Sequence, residues 1–110
     1  MVNISSRKEG SATVVQASGR IDADAAPGFE LTCVQLVRGA ETLVILDLGG
    51  VQYISSGGLR SLLVIGKFQQ QRGGVMRLAN LTPTVTQLFQ QSRFDALFPS
   101  FDSVEKALEG

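Results

Sequence analysis

A chain of 110 residues suffices for one compact domain and is too short for two. At 44% hydrophobic and 18% charged it has the composition of a folded core, not of a disordered segment. Lys plus Arg number 10 and Asp plus Glu number 10, so the net charge is zero and the basic excess on which nucleic-acid or anionic-membrane binding rests is missing.

In chain order, Val2 to Lys8 reads as an edge strand and Glu9-Gly10 as a turn. Ala12 to Ser18, carrying Val14 and Val15 and stopped by Gly19, reads as a second strand that would pair with the first as a hairpin. Asp22-Ala23-Asp24-Ala25-Ala26-Pro27 opens a helix, because an aspartate accepts from free N–H groups at a helix start and proline is tolerated in the first turn. Ala26, Phe29, Cys33, Leu36 and Val37 then recur on one helical face that ends near Gly39. Thr42 to Leu48 is a strand whose apolar run is continuous, not alternating, which predicts a central strand covered on both faces.

Gly49-Gly50 ends that run, and a loop with Tyr53 and Ile54 leads through Ser55-Ser56-Gly57-Gly58 into a second helix. This helix carries Leu59, Leu62, Leu63 and Gly66, runs to about Gln71 and is stopped by Gly73-Gly74. Val75 to Ala79 is a further strand, and Thr82-Pro83 caps and opens a third helix with Val85, Leu88 and Phe89 inward. Phe94 to Phe101 is irregular or a short strand. Asp102-Ser103-Val104-Glu105 resembles a capping box with Asp102 as the cap, and starts a terminal helix carrying Val104, Ala107 and Leu108. Strands alternating with helices predict an α/β layer structure. Sites in such sheets sit at the C-terminal ends of strands, which directs attention to the loops Gly19 to Asp24 and Gly49 to Gly58.

The chain has no histidine, which removes a Ser-His-Asp triad, a histidine proton shuttle and histidine metal ligands. Its one cysteine, Cys33, allows neither an intramolecular disulfide nor a thiolate zinc site, and its place on the apolar face with Phe29 and Val37 predicts a buried structural thiol. Gly-Lys-Ser/Thr and Gly-x-Ser-x-Gly are both absent, so neither a phosphate loop nor a nucleophile elbow is expected. Residues Met1 to Ser6 lack the apolar core of a signal peptide. The longest apolar runs are about four residues against the ~20 of a membrane span, and the expectation is a soluble, cytoplasmic protein.

The informative segment is Val44 to Arg60, where a buried strand passes through Tyr53-Ile54 and Ser55-Ser56-Gly57-Gly58 into a helix. Either serine is placed to cap that helix, and a serine there faces unpaired N–H groups and the positive end of the helix dipole. A phosphate of charge roughly −1.5 to −2 added at such a place leaves the domain folded and changes its surface. Asp22 and Asp24 either cap or shape a partner surface. Tyr53 and Ile54 are either partner anchors or core, and Arg60 in the first turn hints at a surface role.

The segment resembles the signature of STAS domains, above all of bacterial anti-sigma factor antagonists, through Leu46-Asp47-Leu48, Tyr53-Ile54, Ser55-Ser56 and Gly58-Leu59. Gly19-Arg20-Ile21-Asp22 resembles that family's approach to the first helix. Leu81-Thr82-Pro83, Leu88-Phe89, Leu97-Phe98-Pro99 and Phe101 to Leu108 resemble its C-terminal half. The resemblance implies a STAS-type single α/β domain over residues 1–110, with a mixed β-sheet of four to five strands packed with about four helices. It implies a non-enzymatic phosphoprotein without cofactor or metal, acting in transcription regulation by partner switching. Ser56 falls on the phosphorylated serine, with Ser55, where many members carry aspartate, as the second choice. The implied partners are an anti-sigma factor that is also a GHKL-type serine kinase, and a metal-dependent serine phosphatase that resets the switch. The surface expected to meet them comprises Asp22, Asp24, Tyr53, Ile54, Ser55, Ser56, Gly57, Gly58 and Arg60. STAS subunits of phospholipid-transport ABC systems share the fold and supply the alternative reading, although they often carry threonine at the loop.

Overall fold

The structure, a computed structural model, describes residues 2–110. Among them the chain forms β1 (Asn3–Glu9), β2 (Ala12–Ile21), α1 (Ala26–Arg38), β3 (Leu43–Ile54), α2 (Ser56–Gln71), β4 (Val75–Ala79), α3 (Pro83–Gln91), a 3-10 helix (Phe94–Ala96), β5 (Ser100–Phe101) and α4 (Val104–Glu109). The strands form one mixed sheet in the order β1-β2-β3-β4-β5, antiparallel between β1 and β2 and parallel elsewhere. The first pair is the expected hairpin, turning at Gly10 with φ 59.

Parallel neighbours in chain order need a crossover each, and the right-handed rule puts α1, α2 and α3 on the same face. Along β3 the side chains divide accordingly. Val44, Leu46 and Leu48 join Phe29, Cys33, Leu62 and Ile65 in the main core. Ile45 points the other way, into a smaller cluster with Val14, Ala79, Val104 and Ala107, where α4 closes the second face. Cover on both faces is why that strand reads as an unbroken apolar run. None of the described helices is long and apolar enough to cross a membrane.

Four expectations are corrected. Gly19 does not stop β2, which continues to Ile21 in pairing with Val51 to Ile54 of β3. Gly49-Gly50 does not end β3, which runs on to Ile54 beside Ser18 to Ile21 of β2. The glycine permits the approach of the two backbones: a Cβ on Gly50 would lie 2.6 Å from the Cβ of Ser18. Neither Asp22 nor Asp24 is the N-cap of α1. That position is Ala25, without a side-chain cap, and Asp22 instead accepts the Ala25 N–H at 2.9 Å in the turn before the helix. At α4 the cap is Ser103, whose Oγ accepts from the Lys106 N–H at 3.1 Å, while Asp102 stands outside the helix 3.6 Å from Lys106 Nζ. By contrast Thr82 caps α3 as expected, accepting from Val85 N–H, and also donates to the Val51 carbonyl at 3.2 Å, fastening α3 to β3.

The C-terminal end of α2 is anchored by Gln69, which is 0% exposed. Its Nε2 donates to the Thr42 carbonyl at 2.8 Å and its Oε1 accepts from Arg72 at 2.7 Å, so a buried amide is satisfied on both sides. Cys33 is fully buried, and burial pushes its thiol up to about 12.

Two outcomes follow. Gly66→Ala places a methyl against the ring of Phe98. The exchange gains about 1 kcal/mol in an exposed helix, but urea unfolding should show this variant destabilised by about 1–3 kcal/mol; a gain in stability would mean that the ring moves aside freely. Cys33 should resist alkylation at pH 8 in the native protein and react at once in denaturant, and fast native labelling would show that the thiol is reached in the folded state.

Candidate functional site

β2 and β3 end together. Ile21 pairs with Ile54, and the Ser55 N–H donates to the Ile21 carbonyl at 2.8 Å. No slack loop separates the sheet from α2: Ser55, directly after β3, is already the N-cap of the helix. Its backbone is extended, with φ −80 and ψ 170, and its Oγ accepts from the Gly58 N–H at 3.1 Å. The Ser55 carbonyl accepts from Leu59 N–H at 2.9 Å. Ser55 is therefore half-buried and engaged on both its side chain and its backbone.

Ser56, the first residue of α2, is exposed, and its hydroxyl bonds to none of the described residues. Four residues on, Arg60 is exposed, and residues i and i+4 share one helical face. Gly57 is half-buried with room around it, since a Cβ there would meet its nearest neighbours at 3.7 Å. Gly58 is the opposite case: a Cβ would come 2.9 Å from Ile21 Cγ2 and 3.0 Å from Ile54 Cγ2. Gly58 is thus a packing residue that brings α2 down onto the paired isoleucines, not part of the outer surface.

Of the Tyr53-Ile54 pair, Ile54 is core. It is 2% exposed and belongs to the main cluster, so it leaves the expected partner surface. Tyr53 stays half-exposed under the guanidinium of Arg20, which lies 4.8 Å from the ring centroid. Asp22 follows Ile21 directly and so stands beside the serine step, whereas Asp24 is exposed further along the turn. Both aspartates line a hollow against Val2 and Ile4 on the β1 side of α1. Arg60 lies elsewhere, in the groove between α1 and α2.

Three contributing residues, Ser61, Asp47 and Arg20, have roles that the sequence does not assign. Ser61 is 3% exposed, and its Oγ donates to the Ala26 carbonyl at 3.2 Å, holding the starts of α1 and α2 together. Asp47 is 7% exposed and accepts from Gly49 N–H at 2.9 Å and Asn80 Nδ2 at 3.2 Å, joining the middle of β3 to the residue that follows β4. Arg20 has no local signal, since its meaning depends on Tyr53 standing opposite it across the sheet. The outcome is an exposed, unengaged hydroxyl on a rigid strand end, at the start of a helix whose cap is supplied by a different residue.

Comparison with known proteins accords with this architecture. The family model described as STAS domain matches residues 3–107. BtrV of Bordetella bronchiseptica, whose name assigns it provisionally to the anti-sigma factor antagonists, is 37% identical over 89 residues, covering 81% of this chain and 77% of its own. An anti-sigma factor antagonist from Mycobacterium paratuberculosis superposes with a TM-score of 0.88 at 22% identity, over 99% of this chain and 92% of its own. The phosphorylated form of the Bacillus cell fate determinant SpoIIAA superposes with a TM-score of 0.69 at 19% identity, over 97% of each chain.

The two serines should separate in a stability measurement. Ser55→Ala removes the cap of α2 and should lower unfolding stability by about 1 kcal/mol. Ser56→Ala should stay within about 0.5 kcal/mol of the parent protein, as exposed substitutions usually do. Equal losses in urea titrations would contradict this division of roles.

Proposed function

The chain belongs to the STAS domain family, and we propose that within it this protein is an anti-sigma factor antagonist whose binding is switched off by phosphorylation of Ser56. The observation that carries the reading is the contrast between the serines: Ser55 Oγ is committed to Gly58 N–H, while Ser56 is exposed with its hydroxyl unengaged by the described residues. The similarity to BtrV supports the antagonist role, and the phosphorylated SpoIIAA supports a phosphorylated form of this fold.

The physical course of the switch is local. The unphosphorylated surface offers a small neutral hydroxyl, flanked by Gly57 and Arg60, to an anti-sigma factor that is itself a GHKL-type serine kinase. Binding frees the sigma factor. Transfer of the γ-phosphoryl group from the kinase's nucleoside triphosphate to Ser56 Oγ breaks the β–γ bridge bond, expels the nucleoside diphosphate, releases the hydroxyl proton and leaves a dianion at the start of α2. The N–H groups of the first helical turn and the helix dipole tolerate that charge, so the domain stays folded. An interface fitted to the hydroxyl does not tolerate it. A cost of ~3–4 kcal/mol there weakens binding ~100–1000-fold. A metal-dependent serine phosphatase restores the hydroxyl and the cycle begins again.

Incubation with the cognate kinase and ATP should place one phosphate on Ser56 by mass spectrometry. Ser56→Ala should remain unlabelled while retaining the kinase, and Ser56→Asp should remain folded while losing it. Labelling of Ser56→Ala at the parent rate would move the acceptor elsewhere. Retention of a transporter ATPase by the parent and the aspartate variant alike would overturn the switch.

A further inference from the structure

α1 and α2 each carry a second side-chain stripe, distinct from the one facing the sheet. On α1 it runs Pro27, Glu30, Leu31 and Val34, and on α2 Gly57, Arg60, Ser61, Val64 and Phe68, each following the i, i+3, i+4, i+7 pattern of one helical face. The helices run side by side in the same direction, joined at their starts through Ser61 and Ala26, and the two stripes enclose a groove of about 530 Å³. Among the described residues the large apolar side chains left exposed include Leu31 at 61% and Val64 at 39%, which share this groove. From Gly57 to Phe68 the α2 wall extends ~16 Å, room for about three turns of a third helix.

The charge around the groove is uneven. Its lining holds one carboxylate, Glu30, and one guanidinium, Arg60. Outside the lining the far end is cationic: Arg38 stacks over Phe68 at 5.8 Å from the ring centroid, and exposed Lys67 stands one turn beyond Val64. Asp22 and Asp24 do not offset this, because they line the hollow on the other side of α1. In a chain of zero net charge, an apolar trough with cations along α2 and at its far end complements an apolar stripe flanked by acids.

We infer that this groove receives an amphipathic helix of the anti-sigma factor, apolar on the side facing Leu31 and Val64 and acidic along the edges that meet Arg38, Arg60 and Lys67. The inference rests on the switch reading above and extends it: Gly57 and Arg60 belong to the groove and adjoin Ser56, so one bound helix spans from the far end of the trough to the phosphorylated residue. Apolar area then supplies the holding contact, and the hydroxyl at the groove mouth supplies the control. This is helix-in-groove recognition, read through i, i+3, i+4 and i+7 anchors.

The test is titration calorimetry of the full chain with its cognate anti-sigma factor, alongside Leu31→Gln/Val64→Gln, Lys67→Glu and Ser56→Asp. The altered groove residues are exposed, and thermal unfolding verifies that each variant is folded. The double glutamine variant should bind at least about tenfold more weakly. Lys67→Glu should lose about three- to tenfold at low salt, a gap that narrows as salt is raised. If the double variant binds within about twofold of the parent while Ser56→Asp fails to bind, the groove inference is overturned and the switch reading stands. If Lys67→Glu binds more tightly, the occupant is not acidic and the inference falls. If the parent chain itself does not bind, the switch reading falls and takes the groove occupant with it.

Discussion

The hydrogen bond from Ser55 N–H to the Ile21 carbonyl, 2.8 Å long, closes the β2–β3 pairing at the point where both strands leave the sheet. What lies above it is set by that closure. Ile21 and Ile54 form a buried pair, and Gly58 rests on them because it has no side chain to keep it away. Ser55 is held in extended backbone, and from that position it caps α2. Had β3 ended at its first glycine, several residues of loop would separate the sheet from the helix, and the position of Ser56 would vary with that loop.

The same closure divides two tasks between adjacent residues. Ser55 takes the structural one, as it holds the Gly58 N–H, and Ser56 carries none of it. A residue without a structural role can change charge without melting the helix it begins. Ser61 adds to this rigidity from below by tying the start of α2 to the start of α1. The groove between those helices is therefore built on the same anchor as the serine step, and a partner seated in one necessarily adjoins the other.

Elements bounded by local chemistry were legible from the sequence. β4 lies between Gly73-Gly74 and the Thr82-Pro83 cap on the residues expected, and α3 starts at that cap as expected. The two-sided burial of β3 was legible from its unbroken apolar run. What was hidden depends on partners distant in sequence. Gly49-Gly50 carries a break signal, and only Ser18 standing beside Gly50 turns it into strand. At Asp102-Ser103 two adjacent residues are both competent caps, and the backbone decides for the second. Ser55 and Ser56 are alike as residues, and the side-chain bond to Gly58 is what distinguishes them. The outer stripes of α1 and α2 were present as spacing, but Glu30, Arg60 and Ser61 interrupt their apolar character.

The most direct measurement uses protein carrying phosphoserine at position 56 in full stoichiometry, compared with the unmodified chain for thermal unfolding and for affinity to the cognate anti-sigma factor. The account predicts a cooperative transition within a few degrees of the unmodified protein, together with an affinity lower by ~100-fold or more. Unchanged affinity, or an affinity lost only because the phosphorylated domain no longer folds, would contradict it.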